Sequence, residues 1–205
     1  DGRFTYYYAS GQTKRKENYV NGTKNGIWEY LDEGGNDTGN VNPDTAQHQI
    51  TYLCLHGNPA WSFLYRKMIP TLTAHGHRVV ATDLIGFGKS DKFKKANQHS
   101  FDFHRNVLLA FIERLKLERV VLVVQDWGGI LGLTLPMAMP NRFVGLLVMN
   151  TTLTTGETPL SDGFISWRTW CKDNPDFDVG KLFTRGNKHM SDEETQAYNR
   201  PFTDK

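Results

Sequence analysis

The segment from residue 50 to residue 149 alternates between strand-like and helix-like patterns, and this alternation restricts the possible folds more than any other feature of the chain. Short apolar runs rich in β-branched residues occupy positions 50–55, 78–84, 120–124 and 144–149. Longer stretches with apolar side chains at helical spacing separate these runs. Strands that alternate with helices are typical of a parallel sheet covered by helices. The sequence therefore predicts an α/β fold for this segment.

The sequence predicts a helix in each interval between these runs. Residues 61–74 carry apolar side chains at helical spacing. Residues 100–115 begin with Ser100 as an N-cap and have Asp102 in the first turn, where a carboxylate complements the helix dipole. The last of these helices is predicted over residues 129–139.

Two interpretations are open for the first 38 residues. Tyr8, Tyr19 and Tyr30 recur every 11 residues, each with a glycine within the next five, a pattern that resembles the hairpin repeats of MORN-type modules. The alternative is two ordinary antiparallel strands with Asn-Gly turns at positions 21–22 and 25–26. Ordinary strands are favoured, because three units are the minimum for a repeat fold.

Composition and charge exclude several classes of protein. Without its 8 Tyr and with its 19 Gly, the hydrophobic set makes up about 44% of the chain, near the globular norm, which argues against a disordered, collagen-like or coiled-coil chain. The net charge of +2 gives no electrostatic reason to expect a nucleic-acid or membrane-surface partner. The longest apolar run, 120–124, is too short to span a bilayer, and Cys54 and Cys171 fit buried free thiols better than a disulfide. We expect a soluble, cytoplasmic monomer.

The composition of the chain changes after Asn150. Thr, Gly, Pro and Asp residues with scattered aromatics lead into a predicted short helix at 164–170. We therefore divide the chain into an α/β core, residues 1–155, and the beginning of a helical cap, residues 156–205. The chain does not start with Met and ends without a stop signature, which is compatible with a cut at either end.

The strongest chemical signal is the stretch from Val123 to Gly129, where a buried strand runs directly into a turn of small residues and then a helix. This is the arrangement of a nucleophile elbow, in which a sharp turn lifts one side chain above the carboxyl edge of the sheet. Asp126 occupies the lifted position. A carboxylate there can displace a leaving group from saturated carbon and form an alkyl ester on the enzyme. Taken by itself, the pattern fits a simple helix N-cap equally well.

The loop His-Gly-Asn-Pro at positions 56–59 follows the first parallel strand. A backbone N–H in such a loop, together with the N–H of the residue after the nucleophile, can form an oxyanion hole. This assigns Asn58 and Trp127 to that role.

These segments together resemble the haloalkane dehalogenases, a family with the α/β-hydrolase fold. The resemblance covers the chain from about residue 18 to its end. It includes a segment typical of the branch whose halide site uses two tryptophans. The matching segments are 30–34 (YLDEG), 53–70 (LCLHGNPAWSFLYRKMIP), 83–92 (DLIGFGKSDK), 103–106 (FHRN), 123–129 (VVQDWGG), 131–137 (LGLTLPM) and 162–167 (DGFISW).

The resemblance implies an α/β-hydrolase fold, a mostly parallel sheet flanked by helices, with the N-terminal tyrosines in the antiparallel strands that open it. It also implies that the complete protein hydrolyses haloalkanes to an alcohol and a halide ion through an ester on Asp126. The expected partners are a small halogenated hydrocarbon, water and the halide ion. No cofactor or metal is expected.

The resemblance further implies that the indole N–H groups of Trp127 and Trp167 hold the halide. Indole nitrogen is only a donor, which suits an anion in a dry pocket, although packing within the cap is the alternative for Trp167. In other branches of the family the side chain of an Asn at position 58 supplies the second halide donor, so Asn58 is kept as an oxyanion-loop residue that can also touch the halide. Four aromatic residues are candidates for the apolar pocket, with ordinary packing as the alternative: Trp61, Phe63, Phe87 and Phe164.

The chain departs from the family in one respect, because neither a general base nor its acid partner is found. Of the seven histidines only His189 follows the nucleophile, and it lies in the predicted cap before any further strand, so it is not assigned. The position after the last predicted strand, where one branch carries the acid, is near Asn150. The resemblance implies that roughly the last third of a family member, including the remaining strands of the core, is absent from this chain, and both groups are expected there.

Two other functions remain open. An epoxide hydrolase of the same fold shares the Asp nucleophile but usually relies on two cap tyrosines, and this cap segment offers only Tyr198. A non-catalytic binding module would explain the absent base and the tyrosine-glycine pattern of the N-terminus.

Overall fold

The computed structural model describes residues 4–7, 14–20, 23–29, 49–153, 156–157 and 159–202 of the chain. The contacts between residues divide it into two compact units, Asp1–Thr152 and Leu153–Lys205. The predicted boundary between core and cap, at 155/156, stays a prediction.

The first unit is built on a sheet that contains seven strands within the described ranges. The strands are β1 (Phe4–Tyr7), β2 (Lys14–Val20), β3 (Thr23–Glu29), β4 (Thr51–Leu55), β5 (Arg78–Thr82), β6 (Val120–Gln125) and β7 (Phe143–Met149). Their order is β1-β2-β3-β5-β4-β6-β7. The strands β5, β4, β6 and β7 pair in parallel, whereas β1, β2 and β3 are antiparallel to their neighbours. The predicted parallel sheet is confirmed.

Burial follows the position of each strand in the sheet. The side chains of Leu53, Cys54 and Leu55 on the central β4 are fully buried. Burial raises the pKa of the Cys54 thiol to about 12, so it stays protonated and inert. On β7, the last strand of the described sheet, Val144, Leu146, Leu147 and Val148 are all half exposed. Both cysteines are free thiols, but Cys171 is only partly buried, in contrast to the prediction.

Four helices accompany the strands of the first unit: α1 (Met68–Ala74), α2 (Phe101–Arg114), α3 (Trp127–Gly132) and α4 (Leu135–Ala138). Short 3-10 turns lie at Ser62–Tyr65, Ala96–Gln98 and Pro140–Arg142. Leu108 and Phe111 of α2 and Leu131 of α3 belong to one buried cluster with β4 and β6. Ile69 of α1 and Tyr65 belong to a second cluster, with Cys54 and residues of β5.

Two predicted helices are interrupted, in both cases a few residues before a proline. Residues 61–74 form a 3-10 turn and then α1, in which Pro70 is the third residue. Residues 129–139 are divided between α3 and α4, with Pro136 in the first turn of α4. Proline lacks an N–H and its ring clashes with the carbonyl four residues earlier, so it is tolerated only in a first turn. By contrast, α2 is confirmed, with the Phe103 N–H donating to Ser100 Oγ at 3.1 Å.

The N-terminal strands belong to the main sheet, because β3 pairs with β5. This favours ordinary antiparallel strands over a separate repeat module. The predicted turn at Asn25-Gly26 is wrong, since both residues lie inside β3 and pair with Asn18 and Glu17 of β2. Pairing along the whole strand outweighs the local turn preference of Asn-Gly. The other predicted turn, at positions 21–22, and Tyr8 and Tyr30 lie outside the described residues.

The second unit contains α5 (Asp162–Asp173), α6 (Val179–Gly186), α7 (Asp192–Asn199) and a 3-10 turn at Arg200–Phe202. The predicted helix at 164–170 is confirmed as part of α5. Asn199 joins α6 to α7, because its Oδ1 accepts from the Gly180 N–H at 2.8 Å and its Nδ2 donates to Asp178 Oδ1 at 2.8 Å. None of the helices in the described ranges has the length and apolar character needed to cross a membrane.

Candidate active site

Asp126 lies between β6 and α3 in a backbone conformation that is unfavourable for any residue but glycine. Its φ is 51° and its ψ is −124°, which costs about 1–3 kcal/mol for a side-chain-bearing residue. Hydrogen bonds fix this conformation from both sides: the Asp126 N–H donates to Asn150 O at 3.1 Å, and the Asp126 carbonyl accepts from Thr151 Oγ1 at 2.7 Å. The strand–turn–helix pattern therefore forms the predicted elbow, with Asp126 at its tip.

The elbow packs closely against the end of β4, because the backbone at Gly128 lies next to the backbone of Leu55 and His56. A Cβ atom on Gly128 would lie 2.5 Å from the carbonyl carbon of Leu55 and 2.6 Å from His56 O. Only glycine fits at this position, and the close packing brings the loop after β4 next to the elbow.

The two predicted components of the site, Asp126 and Asn58, are in direct contact. The Asn58 N–H donates to Asp126 Oδ1 at 2.7 Å. Gly57 makes this approach possible, because a Cβ there would lie 2.5 Å from the same Oδ1 and 2.7 Å from Gln125 Oε1. The N–H assigned to the oxyanion hole thus holds one oxygen of the carboxylate in this structure.

His56 orients the peptide that makes this contact, a role that sequence reasoning missed. Its ring is fully buried, and its Nε2 accepts from the Leu84 N–H at 2.9 Å. Nε2 is therefore unprotonated, so Nδ1 carries the hydrogen and donates it to Gly57 O at 2.8 Å. Burial lowers the pKa of His56 more than the charges of Asp83 and Asp126 raise it, which keeps the ring neutral. Since Gly57 C=O and Asn58 N–H belong to one peptide, His56 aims that N–H at Asp126.

Asp83 is a second residue whose role the sequence did not reveal. Its buried carboxylate accepts from the Ser62 N–H at 2.8 Å and from the Lys89 N–H at 2.9 Å. Its carbonyl accepts from Ser90 Oγ at 2.6 Å. A carboxylate with two backbone donors ties the loop after β5 to the loop after β4, which carries His56 and Asn58. The sequence signal for this role is the segment 83–90 (DLIGFGKS), which is part of the resemblance to the haloalkane dehalogenases.

A cavity of about 430 Å³ lies in the first unit beside the elbow. This volume is typical of small-molecule pockets. Asn58 and Trp127 contribute to its wall, and Trp127 is 38% exposed. The apolar part of the wall is formed by Leu84, Phe87, Phe93, Phe101 and Leu131. An apolar pocket beside a carboxylate suits an uncharged organic substrate.

The structure places the other aromatic candidates in different environments. Phe87 lines the cavity. Trp61 is 5% exposed and stacks on Phe63 with ring centroids 5.4 Å apart, and neither residue is part of the cavity wall. Packing is the observed role of these two residues, and their place in a substrate pocket stays a prediction.

Trp167 and Phe164 lie on α5 of the second unit. Trp167 is 37% exposed and stacks on Trp170, with ring centroids 5.4 Å apart. The Phe164 N–H donates to Ser161 Oγ at 3.2 Å in the N-cap of α5. The predicted roles of these residues in halide and substrate binding stay predictions.

No described histidine is assigned as a general base. His189 is exposed and lies before α7, where its backbone N–H donates to Asn187 Oδ1 at 3.2 Å. Within the described ranges no three His, Cys, Asp or Glu side chains are grouped so that they could hold a metal ion.

The sheet order, the elbow and the loop after β4 agree with one family of proteins. Residues 52–182 match the family model of the alpha/beta hydrolase fold. The chain belongs to this family. The fold predicted from the sequence is therefore confirmed.

The similarity to haloalkane dehalogenases is also confirmed. A haloalkane dehalogenase of Psychrobacter cryohalolentis is 42% identical over 176 residues, which are 85% of this chain and 54% of the relative. One from Mycolicibacterium paratuberculosis is 37% identical over 177 residues, 86% of this chain and 55% of the relative. The chain spans about half the length of the curated relatives it matches.

Solved structures give the same result for the fold. The tetrameric haloalkane dehalogenase DpaA from Paraglaciecola agarilytica NO2 superposes with a TM-score of 0.79 and 41% identity, over 91% of this chain and 60% of that chain. The epoxide hydrolase VrEH1 from Vigna radiata has a TM-score of 0.71 at 18% identity, over 94% of this chain and 68% of that chain, and shares the fold alone.

Proposed function

We propose that the protein hydrolyses haloalkanes to an alcohol and a halide ion through an ester on Asp126. The observation that carries the proposal is the Asp126 carboxylate at the elbow, with Oδ1 held by the Asn58 N–H at 2.7 Å. The relatives of about 40% identity that are named haloalkane dehalogenases support the same reaction.

In the first step, Oδ2 of Asp126 attacks the carbon that bears the halogen, and the halide leaves with the electron pair of the carbon–halogen bond. A carboxylate is a sufficient nucleophile for this step, which needs no proton transfer. The bond from Oδ1 to the Asn58 N–H fixes the carboxylate so that the other oxygen is available. A preorganised nucleophile lowers the entropic part of the barrier.

In the second step, water adds to the carboxyl carbon of the ester, and negative charge develops on an oxygen of Asp126. The Asn58 N–H, kept in place by the neutral ring of His56, is positioned to donate to this oxygen. The proton of the water passes to a general base, which typically contributes about 10² to 10⁴ in rate. No described histidine is proposed for this role. The tetrahedral intermediate then collapses: the bond from the carboxyl carbon to the alkoxy oxygen breaks, that oxygen takes the proton back from the base and leaves as the alcohol, and the Asp126 carboxylate is restored.

An epoxide hydrolase is the second candidate, and one observation weighs against it. Ring opening needs an acidic group in the cap, and Tyr198 is the cap tyrosine that the sequence offers. Its side chain is 3% exposed and packs on Phe183 with ring centroids 4.4 Å apart. A buried, packed phenol is poorly placed to protonate a substrate.

We expect the full-length protein to release bromide from 1-bromobutane and to leave styrene oxide unchanged. Bromide is measured by ion chromatography and diol formation by gas chromatography, with the spontaneous hydrolysis of each substrate as the blank. Diol formation without bromide would favour the epoxide hydrolase. If neither bromide nor diol is formed, the result favours the non-catalytic binding module.

Replacing Trp167 by Phe is expected to weaken bromide binding to the full-length protein. The change removes the indole donor and keeps an aromatic ring, so a lost hydrogen bond to an anion raises the bromide Kd by about 10- to 150-fold, or about 1.5–3 kcal/mol. Bromide quenching of tryptophan fluorescence gives the Kd. Trp170→Phe is the matched control, because Trp170 stacks on Trp167 and is exposed to a similar extent, 40% against 37%. Equal affinities of the two variants would return Trp167 to a packing role.

A monomeric state and a cytoplasmic location belong to the same proposal. The location rests on the two widely separated cysteines, which fit free thiols better than a disulfide, whereas the monomer is an expectation that no sequence feature decides. One solved relative is described as a tetramer, so light scattering of the purified full-length protein is the measurement that tests the monomer.

A further inference from the structure

The loop after β7 holds Asp126 through two residues, and one of them does so with its side chain. Asn150 O accepts from the Asp126 N–H at 3.1 Å, and Thr151 Oγ1 donates to Asp126 O at 2.7 Å. Asn150 has a φ of 39°, a left-handed conformation that asparagine tolerates better than most residues. The sequence did not single out Thr151, and neither step of the reaction described above uses it.

Packing holds the Thr151 hydroxyl in a fixed orientation. A Cβ atom on Gly129 would lie 2.6 Å from Thr151 Cβ and closer still to its Oγ1 and Cγ2. The Thr151 side chain therefore fills the space that a side chain at position 129 would need. Threonine is β-branched and its χ1 angle is restricted, so a side chain with both branches against α3 leaves the hydroxyl little freedom.

The carbonyl that accepts this bond belongs to the peptide that joins Asp126 to Trp127. Asp126 O also accepts from the N–H groups of Gly129 at 2.9 Å and Ile130 at 3.2 Å, in the first turn of α3. Thr151 adds a third donor, which comes from outside the helix. A donor outside the helix restrains the tilt of the carbonyl, which bonds along the helix axis control less well.

A peptide whose carbonyl has a fixed direction also has a fixed N–H. The Asp126–Trp127 peptide is planar and trans, so its N–H points away from its carbonyl oxygen. Trp127 is the first residue of α3 and has no acceptor for this N–H within the helix. The same N–H is the second donor predicted for the oxyanion hole. The first donor is held in the same way, because His56 bonds Gly57 O in the peptide that carries the Asn58 N–H.

We propose that Thr151 is a positioning residue for hydrolysis of the ester: by donating to Asp126 O, it directs the Trp127 N–H to the oxygen on which negative charge develops. This inference rests on the proposed dehalogenase function. An oxyanion donor stabilises the second step, in which charge builds up on that oxygen. In the first step the carboxylate loses charge to the departing halide, so a donor to its oxygens gives no such help. Loss of the Thr151 hydroxyl therefore slows ester hydrolysis and leaves halide displacement unchanged.

The first test measures the two steps separately in the full-length protein. Rapid quenching after mixing with 1-bromobutane, followed by mass spectrometry, gives the rate at which Asp126 is alkylated and the rate at which the ester is hydrolysed. Thr151→Val keeps the shape of the side chain and removes the donor, so ester hydrolysis is expected to slow about tenfold while alkylation stays unchanged. Removal of an oxyanion donor costs roughly 10² to 10³, and the effect is smaller here because the Trp127 N–H is misdirected and not deleted.

Further variants serve as controls for Thr151→Val. Thr151→Ser keeps the hydroxyl and is expected to restore most of the rate of ester hydrolysis. Thr152→Val makes the same change at the exposed neighbouring residue and is expected to match the wild type. Thr151→Ala removes the same hydroxyl and replaces Thr151→Val if that variant does not fold. Equal slowing of alkylation and hydrolysis, or an unchanged rate of hydrolysis, overturns the proposal.

The second test does not depend on turnover. Asp126-Trp127 is the one Asp-Trp dipeptide of the 205 residues, so ¹³C-carbonyl aspartate and ¹⁵N tryptophan labels select this peptide in an HNCO spectrum, and Asp126→Asn identifies its signal. The signal is expected to shift in Thr151→Val and to stay in place in Thr152→Val, because a hydrogen bond to the carbonyl polarises the whole peptide. A signal that does not move in Thr151→Val overturns the inference whatever the activity. A shifted signal in a protein that releases no bromide overturns the proposed function and still supports the hold of Thr151 on this peptide.

Discussion

Asp126→Asn abolishes bromide release from 1-bromobutane by the full-length protein, with an expected loss of roughly 10⁴-fold or more in kcat. The amide keeps the size of the side chain, and its oxygen can still accept from the Asn58 N–H that lies 2.7 Å from Asp126 Oδ1. It lacks the second carboxylate oxygen, which is the proposed nucleophile. Ion chromatography measures the released bromide.

The control for this variant is Asp102→Asn, which removes an exposed carboxylate from the first turn of α2 and leaves the site unchanged. Intact mass after incubation with 1-bromobutane gives a second readout, because an alkyl group retained by the wild-type chain is expected to map to Asp126 and to be missing from the variant. Turnover that persists in Asp126→Asn without deamidation of the new Asn contradicts the assignment.

Gly128→Ala is expected to lower the free energy of unfolding by roughly 3 kcal/mol or more, the upper part of the range for overpacking. The new Cβ would lie 2.5 Å from the carbonyl carbon of Leu55 and 2.6 Å from His56 O. Both are backbone atoms, so no change of rotamer relieves the contact, and α3 has to move away from β4. The same movement separates Asp126 from Asn58, so activity falls with stability.

Chemical denaturation followed by circular dichroism measures the effect of Gly128→Ala. Gly145→Ala is the matched control, because Gly145 lies on β7 of the same unit and a Cβ there would be 3.4 Å from Val121 Cγ2, an ordinary contact. A change within about 1 kcal/mol is expected for the control. Equal free energies of unfolding for the two variants would contradict the close contact between Gly128 of α3 and the backbone at the end of β4.

The hydrogen bonds around the elbow explain how an unfavourable backbone conformation persists at Asp126. Hydrogen bonds from the Asp126 backbone to Asn150 and Thr151 offset the free-energy cost of its positive φ. Both residues follow β7, the parallel strand next to β6. A helix N-cap would need none of these contacts, and the Asp126 side chain makes no capping bond in the structure. Capping therefore does not explain the conformation, which is in keeping with the proposed role of Asp126 as a nucleophile.

The sequence by itself determined the parallel sheet, α2 and the position of Asp126. Each of these depends on patterns within a few consecutive residues: an apolar run, an N-cap such as Ser100, or a strand followed by small residues. Local sterics and apolar periodicity are properties of the neighbouring residues, so they can be read from the chain in order. The two prolines that interrupt the predicted helices were also visible, and their effect follows from the missing N–H.

Only the tertiary structure decided how the site is held together. His56 contacts Leu84 across 28 residues, and Asp83 contacts Ser62 across 21. Asn25-Gly26 lies in a strand because β2 and β3 pair there. Such contacts arise when the ends of separate strands meet at one edge of the sheet, so they depend on which elements become neighbours. The local pattern locates Asp126 at the elbow, and the packing of distant loops fixes the orientation of its carboxylate.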